Sequence, residues 1–308
     1  MILLASYNIN TLIKSLPGNI AQGLIWGLLA IGLFITYKLL NFSDLTVDGS
    51  FATGAAITIA LISLGIPAPL AILVAFVGGM LCGYVTGFLH TVCHIAPILA
   101  GILTQIGLYS INLHILGNKA NKAINVDNFD LMLSSRYIPK AILISLIVVA
   151  IMIGFMYWFF GTEIGSAIRA TGNNEEMSKA QGINTSRTKV LALMISNGIV
   201  AIAGGLLAQY QGYADVQIGR GALVIGLAAI IIGEVLLNLI FRSATDLWVQ
   251  LSFVIIGGIL YYFAMGVVLW LKLPTNDMKL FTAILVAIFL SVPNMKHSKK
   301  GDKAHAGN

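Results

Sequence analysis

The residues of this sequence that could carry chemistry are a few charged groups set in long apolar runs. Glu234 lies in the run LVIGLAAIIIGEVLLNLI, where a carboxylate is costly unless it is paired, faces a cavity or lies near the membrane surface. Asn238 follows one helical turn later and Arg242 two turns later. We therefore expect a structural ion pair or a gate contact at Glu234, ahead of substrate binding.

Two further carboxylates, Asp44 and Asp48, flank Thr46 in the run NFSDLTVDGSFATGAA. Asp48 or Ser50 is predicted to cap the start of a helix, with Gly49 permitting an unusual backbone angle. The N-terminus of a broken helix could also meet a substrate carboxylate through its dipole. Because Asp48 would repel a carboxylate and attract an amine instead, capping alone is the favoured interpretation.

Neither a metal, a cofactor nor a catalytic group is expected. His90, Cys93 and His94 could share one face of a helix, but no nearby acidic residue or further cysteine completes a set of four ligands. The sequence has no Gly-Lys pair and therefore no phosphate-binding loop, no Gly-x-Ser-x-Gly turn and no HExxH helix. The chain is predicted to be neither an ATPase nor another enzyme.

The composition places these residues in a membrane. Of 308 residues, 58% are hydrophobic and 10% are charged, whereas soluble domains carry about 25% charged residues. Uncharged runs of about 20 residues can cross a hydrocarbon core of about 30 Å as helices. The fold class is therefore an all-α polytopic transmembrane helical bundle in contact with lipid. The net charge of +6 is attributed to membrane orientation, not to nucleic-acid binding.

The predicted organisation is an N-terminal amphipathic segment (1–18), a transmembrane domain (19–293) and a disordered cytoplasmic tail (294–308). Eight or nine spans are expected, at about 19–40, 47–65, 68–89, 95–116, 139–160, 189–209, 221–240, 248–271 and 279–293. The second is interrupted near Asp48, so that it is predicted to be a broken or partly re-entrant helix. Gly79, Gly83 and Gly87 have the spacing of closely packed membrane helices.

Orientation follows from the positive charges of the tail, which are Lys296, Lys299, Lys300 and Lys303. They argue for a cytoplasmic C-terminus. Counting back through nine spans places the polar segment 161–188 in the cytoplasm. Asn173 with Glu176 has the spacing of a capping box, and Gly182 suits a C-terminal cap. Short capped helices outside the bilayer predict a docking surface for another protein.

Three segments resemble permeases of ABC importers: 41–56, 97–117 and 162–184. They are similar to the branched-chain amino acid and ribose permease superfamily, especially its branch for tryptophan, tyrosine or similar small solutes. The resemblance covers about residues 20–293. It implies a bacterial inner-membrane importer with two permease subunits, here expected as a homodimer, two ABC ATP-binding subunits and an extracytoplasmic solute-binding protein.

In that family a coupling helix, matching 169–182 here, docks into the ATPase. The resemblance therefore implies coupling residues at Gly165, Arg169, Ala170, Gly172, Asn173, Glu176, Ala180 and Gly182. The translocation path or gate is expected among the polar residues of the spans, which are Asp48, Thr104, Gln105, Asn112 and Glu234. The alternative is a self-contained ion-coupled transporter, for which Glu234 is the candidate coupling group.

Overall fold

The computed structural model describes residues 9–126, 128–241 and 246–270, with residues 280, 283, 284 and 287. In these ranges the chain forms helices, joined by mostly short connections, and one two-stranded sheet. The helices are α1 (Ile9–Phe34), α2 (Val47–Ser63), α3 (Ala68–Thr91), α4 (Pro97–Ile115), α5 (Ile138–Gly161), α6 (Glu163–Asn173), α7 (Glu175–Ala180), α8 (Thr185–Gln211), α9 (Ala222–Ile240) and α10 (Leu247–Trp270).

Seven helices in the described part of the chain are long and apolar enough to cross a membrane, and α2, at 17 residues, is a shorter apolar helix. Many large apolar side chains on α3, α4 and α5 point outward, for example Leu73, Ile106 and Ile151. An apolar outer surface of this kind suits contact with lipid. The predicted all-α polytopic bundle is confirmed. The ninth predicted span, 279–293, and the tail 294–308 lie outside the described residues, apart from the positions given above.

The first span is one long helix with an altered end. α1 runs without a break from Ile9 to Phe34, so that residues 9–18 of the predicted N-terminal segment are continuous with the span. A π-helical segment, Ile35–Leu39, follows directly. Its wider turn is closed by the Leu40 N–H, which donates to the Ile35 carbonyl at 2.9 Å. Such wide turns are found frequently at functional sites.

The second span is not broken near Asp48, which corrects the prediction, because α2 is one continuous helix from Val47 to Ser63. The non-helical residues, 40–46, precede it, although most of them are buried. Backbone groups here need internal partners. The Phe42 N–H donates to the Thr36 carbonyl at 2.8 Å, and the Asp44 carboxylate accepts from the Thr46 N–H at 2.9 Å. Asn197 of α8 donates to the same carboxylate at 2.7 Å. This buried network fixes the place where α2 begins.

α8 is the centre of the bundle, with α1, α2 and α3 packed around it. Glycines of α3 make this close approach possible: a methyl group on Gly79 would overlap the Asn197 carbonyl, and one on Gly83 would overlap the Leu193 carbonyl. Gly87 lies in the same row, against Val190. The glycine spacing in the sequence therefore marks a helix interface, as predicted.

The two ends of the bundle differ. Strands β1 (Asn121–Ala123) and β2 (Tyr213–Asp215) pair antiparallel at one end, with Lys122 opposite Ala214. α6 and α7 lie at the other end of the bundle. The chain runs the length of the bundle from β1 to α6 through α5, and it returns from α7 to β2 through α8. Lys122 also donates to the Ser63 hydroxyl at 2.8 Å, which ties the sheet to the end of α2.

Candidate functional site

The segment 161–188 is helical and capped at each start. The Thr162 hydroxyl accepts from the Gly165 N–H at 3.3 Å and begins α6, and the Asn184 side chain accepts from the Arg187 N–H at 3.0 Å and begins α8. Gly182 ends α7 with φ +83°. The Ile183 N–H returns to the Ser178 carbonyl at 3.1 Å, the pattern of a glycine-closed helix end. The predicted C-terminal cap at Gly182 is therefore present.

The predicted capping box at Asn173 and Glu176 is wrong by one residue. Asn173 is the last residue of α6, and Asn174 caps α7 by accepting from the Met177 N–H at 3.0 Å. The physical reason is the backbone, because a cap residue must leave the helical region. Asn174 does so, with φ −155° and ψ 106°. Glu176 instead accepts from Lys179 at 3.0 Å.

The inner face of α6 is packed tightly against the bundle. A methyl group on Gly165 would overlap the backbone of Phe159 and Phe160, and one on Gly172 would overlap the Leu39 carbonyl. Ile168, between them, is fully buried. α6 therefore rests with backbone-to-backbone contact on the π-helical segment, and a displacement of α6 must move that segment or break this contact.

The outer face of the segment is open. The predicted coupling residues that are exposed are Arg169, Asn173, Glu176, Ala180 and Gly182, while Ala170 and Gly172 are half-buried and Gly165 is buried. Met177 adds a large apolar side chain to the exposed surface. The eight predicted residues thus divide into an inward set, which holds α6 in place, and an outward set, which is available to a partner.

Glu175 ties α7 to α8 electrostatically. Its carboxylate accepts from Lys189 of α8 at 2.7 Å and lies 3.3 Å from Lys179 of its own helix. The Thr185 hydroxyl also donates to it at 3.3 Å. The hydrogen bond and the positive charge of Lys189 lower the pKa of Glu175, with a smaller contribution from Lys179. α7 is thereby fixed as part of one rigid unit.

A second site is a cavity of about 480 Å³ between α2, α4 and the residues that precede α9. Three of the five predicted path residues lie together here, namely Asp48, Gln105 and Asn112. Tyr109, Ser110, Gln217 and Arg220 add further polar groups to the wall. The volume is within the range of small-molecule sites.

Asp48 is a cap, but not of its own helix, which corrects the prediction. α2 begins at Val47, and the side chain of the preceding residue, Thr46, makes no capping hydrogen bond. The Asp48 carboxylate instead accepts from the Gly221 N–H at 3.0 Å and from the Leu223 N–H at 2.8 Å, at the start of α9. Gly49 is not in the positive-φ region. A methyl group there would meet Leu108 and Gln105, so that Gly49 serves close packing on α4.

Thr104, the fourth predicted path residue, does not line this cavity. Its hydroxyl lies in a buried chain, in which Thr86 is 2.9 Å from Thr104 and 2.6 Å from Thr46. These three hydroxyls join α4, α3 and the residues before α2. The Thr104 hydroxyl therefore makes hydrogen bonds between helices, as hydroxyls in membrane bundles frequently do, and the residue borders a separate apolar cavity between α2, α3 and α4.

Glu234, the fifth, lies apart from the cavity in a small recess of about 110 Å³. Lys38, in the π-helical segment, donates to its carboxylate at 2.8 Å. The expected ion pair is present, with Lys38 as the partner. Asn238 lines the same recess, and Arg242 lies outside the described residues.

Two functional candidates were missed in the sequence. Lys38 could have been found, because a lysine at the end of a span is a natural partner for a carboxylate in another span. Arg220 had a weaker signal: it is a charge between two glycines, Gly219 and Gly221, where the chain turns before a helix. This turn borders the cavity because Gly219 packs against the Asp48 carbonyl. The sequence gives no sign of that contact.

Comparisons with known proteins give consistent matches. A family model described as "Branched-chain amino acid transport system / permease component" matches residues 17–292. The chain is 38% identical over 283 residues to a tyrosine transport system permease protein of Clostridioides difficile (strain R20291), with 92% of each chain covered. It is 32% identical over 276 residues to an uncharacterized protein of Rickettsia prowazekii (strain Madrid E), with 88% of this chain and 94% of the relative covered.

A more distant relative is an autoinducer 2 import system permease protein of Yersinia pestis (strain Pestoides F), 29% identical over 213 residues, with 68% of this chain and 58% of that protein covered. No solved structure matches the chain.

Proposed function

This chain belongs to the family of branched-chain amino acid transport system permease components, and from this membership we propose how its parts divide the work of import. The protein is the permease subunit of an ABC importer for a small solute, a multi-pass protein of the bacterial inner membrane and not an enzyme. Its partners are an ATP-binding subunit and a solute-binding protein. In our proposal the 161–188 segment receives the ATP-binding subunit, and the cavity beside Asp48 lies on the solute path.

The observation that carries the docking role is the contact of Gly172 with the Leu39 carbonyl. A docking element must combine an exposed surface with a stiff connection to the spans. The outer face, with Arg169 and Ala180, supplies the surface. Glu175, through Lys189, and Gly172, through the π-helical segment, supply the connection.

From this segment a continuous set of contacts leads to the cavity. Lys38, next to Leu39 in the π-helical segment, is paired with Glu234 of α9. The start of α9 is held by Asp48, which lines the cavity. When the ATP-binding subunits close, α6 moves the π-helical segment, and the Lys38–Glu234 pair transmits that motion to α9. The cavity changes shape because α9 begins at its wall.

We further propose that two copies of this chain assemble as a homodimer. Gln105 and Tyr109 of α4 are only partly covered, although they line a cavity in a membrane-embedded bundle. Polar side chains facing lipid are costly, so that a second copy covering this side removes the cost and encloses a path. Residues 294–308 are proposed to stay outside this transmembrane domain, whereas residues 9–18 belong to α1, which continues into the first span.

The proposed solute is an amino acid or a related compound, as the names of the family and of the Clostridioides difficile relative suggest. The decisive experiment reconstitutes this chain with its ATP-binding subunit and solute-binding protein in liposomes. Uptake should require hydrolysable ATP, and the ATP-binding subunit should co-purify with the chain. Uptake by the chain alone, driven by a proton or sodium gradient without ATP, would contradict the importer.

A further inference from the structure

The cavity contains a positive charge that the protein leaves available. Arg220 lines the wall and is exposed. Among the described residues, its guanidinium makes neither an ion pair nor a side-chain hydrogen bond, and only its backbone N–H is engaged, with the Gln217 carbonyl at 3.0 Å. A guanidinium has five donors in a planar fork that matches a carboxylate. An available guanidinium at a solute site therefore favours a carboxylate ligand.

The nearby negative charge does not neutralise Arg220. Asp48 lines the same cavity, but each of its carboxylate oxygens accepts a backbone N–H, from Gly221 and from Leu223. Asp48 is thus engaged in holding the start of α9. It contributes negative potential to the wall, which attracts an ammonium group, while Arg220 keeps its donors for a ligand.

The cavity also contains an acceptor without a donor. Asn112 is 1% exposed, and its amide oxygen has no hydrogen-bond partner in the described structure. A buried amide oxygen without a hydrogen-bond donor costs free energy. Its position at the wall of a cavity therefore favours a ligand that donates a hydrogen bond to it. Thr104, two turns earlier on α4, shows the usual alternative, because its hydroxyl is fully engaged with Thr86 and the Ala100 carbonyl.

We infer that Arg220 and Asn112 form the recognition subsite of the cavity for an α-amino acid, with the α-carboxylate on the Arg220 guanidinium and the α-ammonium group on the Asn112 amide oxygen. This inference rests on the proposed function, because it assigns recognition to the cavity proposed as part of the path. Asp48, in the wall of the same cavity, supplies a negative potential that favours a ligand with an ammonium group. Ile106 and the ring of Tyr109, which line the same wall, are apolar neighbours for the side chain of the solute.

The test measures binding to the purified full-length chain as the rise in its unfolding temperature. The probes are tyrosine, tyramine, which lacks the carboxylate, and hydroxyphenylpropionate, which lacks the ammonium group. A second set of probes is leucine, isopentylamine, which lacks the carboxylate, and isocaproate, which lacks the ammonium group. An amino acid should stabilise the wild type most, its deaminated acid less and its amine least. Arg220→Gln should weaken amino-acid binding by about tenfold or more, and Arg220→Lys by less.

Asn112→Leu tests the second half of the subsite. It should bring the affinity for the amino acid down to that for the deaminated acid, without lowering the unfolding temperature of the free chain, because no protein hydrogen bond of the amide oxygen is lost. Lys119→Gln is the matched control, because it removes an exposed positive charge near β1 and lies outside the cavity wall. It should leave every affinity unchanged.

Three results would overturn the subsite. They are equal stabilisation by amine and amino acid, unchanged binding in Arg220→Gln, and no stabilisation of the wild type by any carboxylate probe. Each can be separated from a failure of the proposed function, because co-purification of the ATP-binding subunit and ATP-driven uptake are measured independently. If Arg220 pairs with a second copy of the chain or with lipid phosphate instead, Arg220→Gln should leave amino-acid binding unchanged. The variant should then show an altered oligomeric state or an altered dependence on lipid.

Discussion

The Asp48 carboxylate accepts a hydrogen bond from the Leu223 N–H at 2.8 Å, a contact between residues 175 positions apart in the chain. It joins the first turn of α2 to the first turn of α9 at the wall of the cavity. Backbone donors at a helix start lack partners within the helix, and within a bundle water cannot replace them freely. This bond therefore holds two helix starts in one register.

Asp48→Ala should lower the free energy of unfolding by about 1–3 kcal/mol, because two backbone N–H groups lose their acceptor. Asp48→Asn should cost less, since its amide oxygen can still accept one of the two bonds. Thermal unfolding in detergent measures both. Asp130→Asn, at an exposed loop position, is the control, and an equal loss in all three variants would contradict the capping role.

Charge reversal tests the Lys38–Glu234 pair as a transmitting contact. Both side chains are more than 40% exposed, so that the pair should contribute only about 0–1 kcal/mol to stability. Lys38→Glu and Glu234→Lys should each reduce ATP-driven uptake strongly with little change in unfolding temperature. The double reversal should restore most of the uptake. No recovery in the double variant would mean that the two residues act separately.

Gly172→Leu should disconnect α6 from the π-helical segment, because even a methyl group would overlap the Leu39 carbonyl. We expect uptake to fall about tenfold or more while the protein still inserts and still binds the ATP-binding subunit. Uptake and ATP hydrolysis, measured together, should show hydrolysis without transport. Gly161→Ala is the control, since nothing lies near its added methyl group and its φ is ordinary.

Ala180→Trp addresses the docking surface directly. Ala180 is exposed at the end of α7, so that a bulky side chain should leave unfolding unchanged and abolish co-purification of the ATP-binding subunit. A bulky residue at Gly182 should have the same effect on docking, with an added local cost of about 1–2 kcal/mol from its φ of +83°. Unchanged assembly in Ala180→Trp would show that the partner docks elsewhere.

The pH dependence of the segment depends on Glu175. Its pKa in the folded protein is lowered by Lys189, so that the ion pair stabilises fully above the unfolded pKa of about 4.3. This stabilisation is lost as the pH falls through the lower folded value. The difference in unfolding temperature between wild type and Glu175→Gln should therefore shrink on acidification. Glu176→Gln, which removes a carboxylate whose side chain is 85% exposed, is the matched control variant.

Much of the segment 161–188 was predictable from local pattern. Gly182 ends a helix because glycine alone adopts the left-handed conformation without cost, and the structure places it there. The error at Asn173 has a local cause, since two adjacent asparagines are equivalent by type. The choice of Asn174 follows from where α6 ends, and that end depends on the packing of Gly172 against Leu39.

The cavity could be predicted only in part. Gln105 and Asn112 were found because polar residues in an apolar span are conspicuous. Thr104 has the same signal, yet its hydroxyl is used between helices. Whether a polar side chain faces a cavity or a neighbouring helix depends on the rotation of α4 against α2, which is set by the contact of Gly49 with Leu108 and Gln105.

The sequence by itself determined the class of protein, the number and approximate limits of the apolar helices through residue 270, and the resemblance to its family. These depend on local quantities, such as the length of uncharged runs and the positions of glycine and capping residues. Only the tertiary structure decided the surroundings of the charged groups. Glu234 pairs with Lys38, Asp48 accepts from the start of α9, and Arg220 lines an open cavity. Such partners lie far apart in the chain, and close helix packing alone brings them within hydrogen-bonding distance.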